Sequence, residues 1–285
     1  MNEFDYLVLL TLAYSSCFSF ALTADEVIKR LPLAPKKLIF SEKKIRESLK
    51  KLTKQALIQS DGQYFFLEKK DLISRKKRAK FVSAKKERTT EFVKLASKIP
   101  FVQAIVLTGS TAVDNAQKED DLDFMIICKK NTLWICRFLL IALTKLKDKR
   151  PSQEKDNAWC LNLWLDESDL TIDENRRSLY EAYEILQMKF VFDRSNYEKR
   201  FLNANAWLRN YLFIYELYGF GKYKKEKSYS WFNQLFFSLQ KRYRLLSFGQ
   251  ENFSLSLTQA FFNHLNFRAK LFTRLRKKLS DFDML

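Results

Sequence analysis

A short run of apolar residues ending in glycine marks the most informative part of the chain. Residues 104–108 (AIVLT) are apolar and largely β-branched, a pattern that predicts a short buried strand. Gly109 permits a sharp turn and close approach of the backbone to a ligand, and Ser110 stands where a short helix over 110–116 is expected to begin. The free N–H groups of such a turn suit a phosphate.

A second strand with alternating character follows. Residues 121–128 (DLDFMIIC) alternate with a period of two, so Asp121, Asp123 and Met125 are expected on one face and the apolar residues between them on the other. Both carboxylates therefore share a face of the predicted sheet.

The first part of the chain shows helical spacing and then a hairpin signal. Residues 4–20 predict a first helix, a capping box at Thr23 opens a second, and residues 41–55 predict a third. Two short alternating runs then flank Asp61-Gly62, which predicts a hairpin. Three helices and a hairpin are typical of a winged-helix-like domain.

The remaining pattern is mainly helical. The densely charged residues up to Lys98 predict one long connecting helix, and the apolar run 132–146 predicts a helix buried against the sheet. Residues 158–168 (AWCLNLWLDES) predict a strand with Cys160, Asn162, Trp164 and Asp166 on its more polar face. From residue 178 onward the spacing predicts helices.

Two acids on one strand face carry chemistry. Asp121 and Asp123 repel each other unless a cation lies between them. Mg²⁺ prefers one or two carboxylates together with substrate phosphates and retained waters. The pattern thus combines a phosphate cradle with a metal site, as phosphoryl or nucleotidyl transfer requires. A metal-free acidic turn is the alternative interpretation.

Gly109-Ser110, ten further residues, and then Asp121-Leu122-Asp123 resemble the nucleotidyltransferase superfamily typified by DNA polymerase beta. The resemblance covers about thirty residues. It implies that Asp121 and Asp123 hold two Mg²⁺ ions, with Mn²⁺ as an alternative ion, and that Gly109 and Ser110 contact the triphosphate of an NTP such as ATP.

The resemblance also implies a third carboxylate on a later strand. Asp166 is the expected third metal ligand and acceptor of the attacking proton, because it is the acid on the polar face of residues 158–168. Asn162 occupies a more central position on the same face. If Asn162 takes the family position, the third ligand is missing.

Together these features predict an α/β fold of the α+β class. The expected parts are a winged-helix-like domain (1–72), a linker helix (73–99), a small mixed-sheet nucleotidyltransferase core (100–177) and a helical C-terminal domain (178–285).

Composition adds a possible partner and excludes some chemistry. Lysine and arginine outnumber the acids by 51 to 33, which favours RNA or DNA as a partner through basic surfaces, although a lysine-rich proteome would give the same excess. The scattered cysteines indicate neither a disulfide framework nor a zinc site, and the single His264 argues against histidine-dependent hydrolysis. The acidic start of the chain is unlike a secretory signal, so a cytoplasmic protein without a membrane span is expected.

Two functions from different classes remain open. The first is transfer of a nucleoside monophosphate from an NTP to an acceptor hydroxyl, with RNA such as tRNA favoured and a protein or small molecule as alternatives. The second is a nucleic-acid-binding regulator with an inactive catalytic domain. A scaffold subunit that uses its aromatic C-terminal helices is a weaker third option, and the pattern leaves the oligomeric state undetermined.

Overall fold

The computed structural model describes residues 1–33, 39–146, 158–227, 230–248, 253–262, 266–280 and 282. His264 and the charged loop 147–157 lie outside these ranges. The helices are α1 (Glu3–Ser16), α2 (Ala24–Lys29), α3 (Glu42–Lys54), α4 (Lys69–Ala79), α5 (Val82–Ala96), α6 (Gly109–Ala112), α7 (Leu133–Leu146), α8 (Leu179–Gln187), α9 (Tyr197–Ala204), α10 (Phe213–Glu216), α11 (Trp231–Phe248) and α12 (Asn266–Ser280). The strands are β1 (Leu22–Thr23), β2 (Gln59–Ser60), β3 (Tyr64–Phe66), β4 (Val102–Thr108), β5 (Leu122–Cys128), β6 (Trp159–Asp166), β7 (Lys189–Asp193), β8 (Ser254–Leu255) and β9 (Gln259–Phe261).

Helices α1 to α3 and strands β1 to β3 form what we call the N-terminal module. Its antiparallel sheet has the order β1-β3-β2, with Leu22 opposite Phe65. The predicted capping box is confirmed, since the Thr23 hydroxyl accepts from the Glu26 N–H while Glu26 accepts from the Thr23 N–H. Helix α1 is buried along most of its length, which explains its continuous apolar sequence.

A mixed sheet of the order β7-β4-β5-β6-β9-β8 forms the centre of the described chain. Strand β4 is antiparallel to β5 and β7, whereas β5 and β6 are parallel. One face packs against α1, α8, α9 and α12, and the other against α5, α7 and α11. The structure is therefore mixed α/β of the α+β kind, as predicted.

The alternation predicted for β5 is confirmed by the two cores. Met125 and Ile127 belong to the core on the α1 and α8 side, while Leu122, Phe124 and Ile126 belong to the opposite core. Asp121 and Asp123 therefore lie on the α1 and α8 side of the sheet.

The C-terminal part is not purely helical, contrary to the prediction. Strand β7 pairs with β4 at one end of the sheet, and β9 pairs with β6 near the other. The predicted helix over residues 197–217 is also interrupted, because the buried Asn205 side chain bonds the Ile172 N–H and the Leu170 and Phe201 carbonyl oxygens. Strands β7, β8 and β9, which lie within residues 178–285, thus belong to the central sheet.

The charged segment before the core forms two helices instead of the single predicted one. Helix α4 attaches to the N-terminal module, where Arg75 pairs with Glu26. Helix α5 packs on the sheet, with Phe92 stacked on Phe124 at 4.2 Å between ring centroids. The two helices serve different partners, so the chain turns between them.

Several expectations about the surface can be compared with the described residues. None of the helices within the described ranges is long and apolar enough to cross a membrane. The four cysteines are free thiols. On α11, Trp231 and Phe232 are largely exposed, so not all aromatic residues of the C-terminal helices are core residues.

We expect Phe92→Ala to lower the free energy of unfolding by about 3–5 kcal/mol, because it removes a fully buried ring from the sheet core. Ile73→Ala on α4 is the matched control, since Ile73 is exposed. Urea denaturation measures both variants, and equal stability of the two would contradict the integration of α5 into the core.

Candidate functional site

A cleft of about 390 Å³ lies where the β4-to-β5 connection meets the N-terminal module. This volume falls in the range of small-molecule sites. Its walls come from three separate parts of the chain: α1 with the residues after it, the connection between β4 and β5, and α8 with the start of α12. The lining residues are Tyr14, Ser15, Phe18, Phe20, Arg30, Gly109, Ser110, Val113, Asn115, Asp120, Asp121, Asp123, Tyr180, Glu184, Gln187 and Phe267.

The backbone turn at the end of β4 requires glycine for two reasons. Gly109 has φ +65°, which L side chains rarely adopt. A Cβ atom at this position would also lie 2.7 Å from Oδ2 of Asp123. The turn therefore brings the backbone against the carboxylate, and the following helix α6 is only four residues long.

Asp121 and Asp123 face the same cleft, as predicted from their spacing. Oδ1 of Asp121 accepts from the Ala158 N–H at 3.1 Å, and Oδ1 of Asp123 accepts from Nδ2 of Asn162 at 2.6 Å. Burial, followed by the neighbouring charges of Asp121 and Asp120, raises the pKa of Asp123 to about 7. A cation in the cleft would relieve this repulsion.

Asp120 is a third acid of the connection that sequence reasoning did not single out. Its Oδ2 accepts from the Ser110 hydroxyl at 3.1 Å and from the Gln117 N–H at 2.9 Å. The predicted phosphate-contacting serine thus bonds to an acid of its own loop. A ligand that takes this hydroxyl must compete with Asp120.

The connection between β4 and β5 is held from outside by basic side chains. The buried Lys85 of α5 donates its ammonium to the Lys118 carbonyl oxygen at 3.2 Å and also to the Asp120 carbonyl oxygen. Arg78 of α4 donates to the Asn115 side chain at 2.5 Å. The helices predicted as a linker therefore position the acidic loop.

The structure separates Asp166 from the other two predicted metal ligands. In the parallel pairing of β5 with β6, Asp123 lies opposite Cys160, whereas Asp166 lies opposite Cys128. Cys128 is five residues from Asp123, a distance of about 17 Å along β5, so Asp166 lies far from the acids of the cleft. The carboxylate of Asp166 instead accepts from the Ser168 N–H at 3.1 Å and from its hydroxyl at 2.5 Å. The assignment of Asp166 to this site was wrong.

A β-bulge in β6 also changes the face on which Asp166 was expected. The register between β5 and β6 shifts after the Phe124–Leu161 pair, so Met125 lies opposite Leu163 and Asn162 is the extra residue. Beyond the bulge, Leu163 and Leu165 join the core on the α1 and α8 side, while Trp164 turns to the opposite core. The uninterrupted alternation predicted from the sequence would place these three side chains on the opposite faces.

Asn162, the predicted alternative to Asp166, contacts the acidic pair. Besides its bond to Asp123, its Oδ1 accepts from the thiol of Cys160 at 3.0 Å. The residue beside Asp123 on β6 is therefore a neutral amide that donates a hydrogen bond and adds no charge.

Glu184 on α8 is a further carboxylate of the cleft, and sequence reasoning missed it. It lines the cleft, and burial, followed by the charge of Asp123, raises its pKa to about 7. Its sequence context, EAYEILQ, gives the ordinary pattern of an amphipathic helix. Only the packing of α8 beside the acidic loop distinguishes Glu184 from a surface acid.

The donor set of the cleft fits a hard divalent cation. Asp121, Asp123 and Glu184 line the same cleft, and Mg²⁺ binds through carboxylate oxygens with waters and phosphates completing its shell. Among the described residues, no three acidic, cysteine or histidine side chains converge closely enough to hold an ion by themselves. Substrate phosphates and water would therefore supply the remaining ligands.

The free energy of unfolding should fall as the pH rises from about 4 to about 7 in buffer without divalent ions. In this range folded Asp123 keeps a proton that the unfolded chain, with an ordinary carboxyl pKa near 4, has released. Asp123→Asn should flatten part of this dependence, with Asp173→Asn as an exposed control. Thermal unfolding at several pH values measures it, and an unchanged pH dependence in Asp123→Asn would contradict the raised pKa.

Asp166→Ala should lower the free energy of unfolding by about 1–3 kcal/mol, because Ser168 loses its buried acceptor. We expect no change in divalent-ion binding, since Asp166 lies at the other end of β6. Calorimetric titration with Mn²⁺ compares this variant with Asp123→Ala, and a loss of Mn²⁺ binding by Asp166→Ala alone would return Asp166 to the site.

Comparisons with known proteins identify no relative of this chain. Neither the protein-family models, nor the curated proteins, nor the solved structures contain a significant match. The site is therefore defined by its own residues: a glycine turn, two acids on one strand, an amide beside them, and a further acid on α8.

Proposed function

We propose that the protein is a metal-dependent nucleotidyltransferase that transfers a nucleoside monophosphate from an NTP to an acceptor hydroxyl and releases pyrophosphate. The observation that carries this proposal is the contact of the Gly109 turn with Asp123 inside a cleft that Asp121 and Ser110 also line. A phosphate cradle and a pair of metal-binding carboxylates within one cleft are the parts that this reaction needs.

Each residue has a role set by its position. Asp121 and Asp123 would hold two Mg²⁺ ions, which neutralise the charge of the triphosphate when bound. Gly109 leaves the backbone open to the phosphates, and the Ser110 hydroxyl is released to them from Asp120. Asn162 holds one oxygen of Asp123 and so orients the carboxylate.

Glu184 is the proposed third carboxylate in place of Asp166. Its raised pKa of about 7 suits a group that accepts a proton from the acceptor hydroxyl near neutral pH. The neutral Asn162 cannot take this role. We therefore assign the role of proton acceptor to Glu184 of α8 instead of to a residue of β6.

The acceptor is proposed to be a polyanion such as RNA. The chain carries a net charge of +18, and α3 exposes a row of lysines. The N-terminal module has the helix and strand order of a winged helix, which supports a nucleic-acid contact through α3.

A specific observation also favours the second function, a nucleic-acid-binding regulator. Within α3, Lys51 is engaged by the buried Asp5 at 2.7 Å and Arg46 by Asp25 at 2.5 Å. The remaining exposed lysines of this helix, Lys43, Lys44, Lys50 and Lys54, form no ion pairs among the described residues, and Lys44 lies 5.7 Å from the Phe4 ring centroid. They would contact a duplex whether or not the cleft is active.

Asp121→Ala and Asp123→Ala should each reduce nucleotide transfer by at least about a thousandfold without loss of the fold, because each removes charge neutralisation at the phosphates. Glu119→Ala is the matched control, since Glu119 is an exposed acid of the same loop. The measurement is incorporation of label from α-³²P NTPs into total cellular RNA with Mg²⁺, with circular dichroism as the check on folding.

The same experiment separates the two functions. Label that appears with wild type and Glu119→Ala but not with the two aspartate variants supports the transferase. Turnover that persists in both aspartate variants rejects it. Absence of label, together with duplex binding that weakens steeply as salt rises and is lost on changing Lys43, Lys50 and Lys54 to glutamate, supports the regulator.

A further inference from the structure

We propose that Arg30 of the N-terminal module binds the phosphate chain of the nucleotide in the cleft. This inference rests on the proposed function and extends it to a residue outside the strand-turn-strand motif. It places part of the nucleotide site in the N-terminal module, for which the sequence predicts only nucleic-acid binding.

The backbone of Arg30 is fixed by two neighbouring elements. Its N–H donates to the Glu26 carbonyl oxygen at 3.1 Å, which ends α2. Its carbonyl oxygen accepts from the Tyr183 hydroxyl of α8 at 2.7 Å. The residue thus joins the N-terminal module to the helix that carries Glu184.

Arg30 lines the cleft together with Phe20. The guanidinium lies 5.4 Å from the centroid of the Phe20 ring. An arginine that lies on an aromatic ring keeps its fork of N–H donors available at the edge. These donors match the oxygens of a phosphate.

The guanidinium has no bound anion within the described part of the chain. Among the acids, Glu26 has the strongest charge effect on Arg30. Its carboxylate, however, is bound by Arg75 through three contacts of 3.1–3.2 Å and also caps α2. Burial lowers the pKa of Arg30, the direction expected for a partly desolvated cation, although arginine remains charged. A charge that is partly removed from water without a partner favours an incoming anion.

The charges of the cleft are arranged for a phosphate chain bound with metal ions. Among the described residues that line it, Arg30 is the one lysine or arginine, whereas Asp120, Asp121, Asp123 and Glu184 are acids. The acids would hold metal cations against one part of the triphosphate. The guanidinium of Arg30 would contact another part of it. A neutral or cationic ligand would leave Arg30 without a partner.

The first test is binding of the four NTPs, and of the corresponding nucleosides, in the presence of Mg²⁺, measured by calorimetry on the full chain. Arg30→Met should weaken NTP binding about tenfold or more and leave nucleoside binding unchanged, and Arg30→Lys should restore part of the loss. Lys29→Met is the matched control, because Lys29 precedes Arg30 on α2 and is exposed. Unchanged NTP affinity in Arg30→Met would overturn the inference.

A second test needs no variant and so does not depend on folding. Phenylglyoxal should modify Arg30 in the wild-type protein, and saturating NTP with Mg²⁺ should protect it, as read by mass spectrometry of peptides. Modification that is unaffected by NTP, or absence of modification without NTP, would show that the guanidinium does not serve the nucleotide.

The outcomes distinguish the inference from the function on which it rests. If wild type binds NTP and Asp123→Ala abolishes transfer, but Arg30 is neither protected nor needed, only the role of Arg30 fails. If wild type binds none of the four NTPs, both the transferase and the role of Arg30 fail.

Discussion

The crowding of carboxylates at the start of β5 is the constraint on which the cleft depends. Asp121 and Asp123 point to the same side of the sheet, and the backbone of Gly109 is pressed against Asp123. Two acids in this position lose hydration and repel each other, so the pKa of Asp123 rises to about 7. The arrangement is costly for an isolated protein and favourable for one that binds a cation.

Surrounding elements maintain this crowding from several directions. Asn162 holds one oxygen of Asp123, the Ala158 N–H holds Asp121, and Lys85 holds the backbone of the loop that precedes them. These contacts come from β6, from the residue directly before it and from α5, so the geometry does not depend on the flexibility of the loop itself. Such support is what a binding site with fixed ligands requires.

The cleft also depends on parts of the chain that are distant in sequence. Helix α1 and Arg30 form one part of its wall, and α8 and Phe267 form another. The Tyr183 hydroxyl bonds the Arg30 carbonyl oxygen across this boundary. A fragment containing residues 100–177 alone would lack both the guanidinium and the carboxylate of Glu184, so the site belongs to the assembled chain.

The sequence by itself determined the local features: the strand ending at Gly109, the shared face of Asp121 and Asp123, and the capping box at Thr23. These follow from the period of two, from backbone sterics and from neighbouring residues. Tertiary structure decided that a bulge at Asn162 changes the faces of the residues that follow it, that α8 places Glu184 in the same cleft as the acids, and that β7 and β9 complete the sheet. These features depend on register and packing between distant segments, which no local pattern encodes.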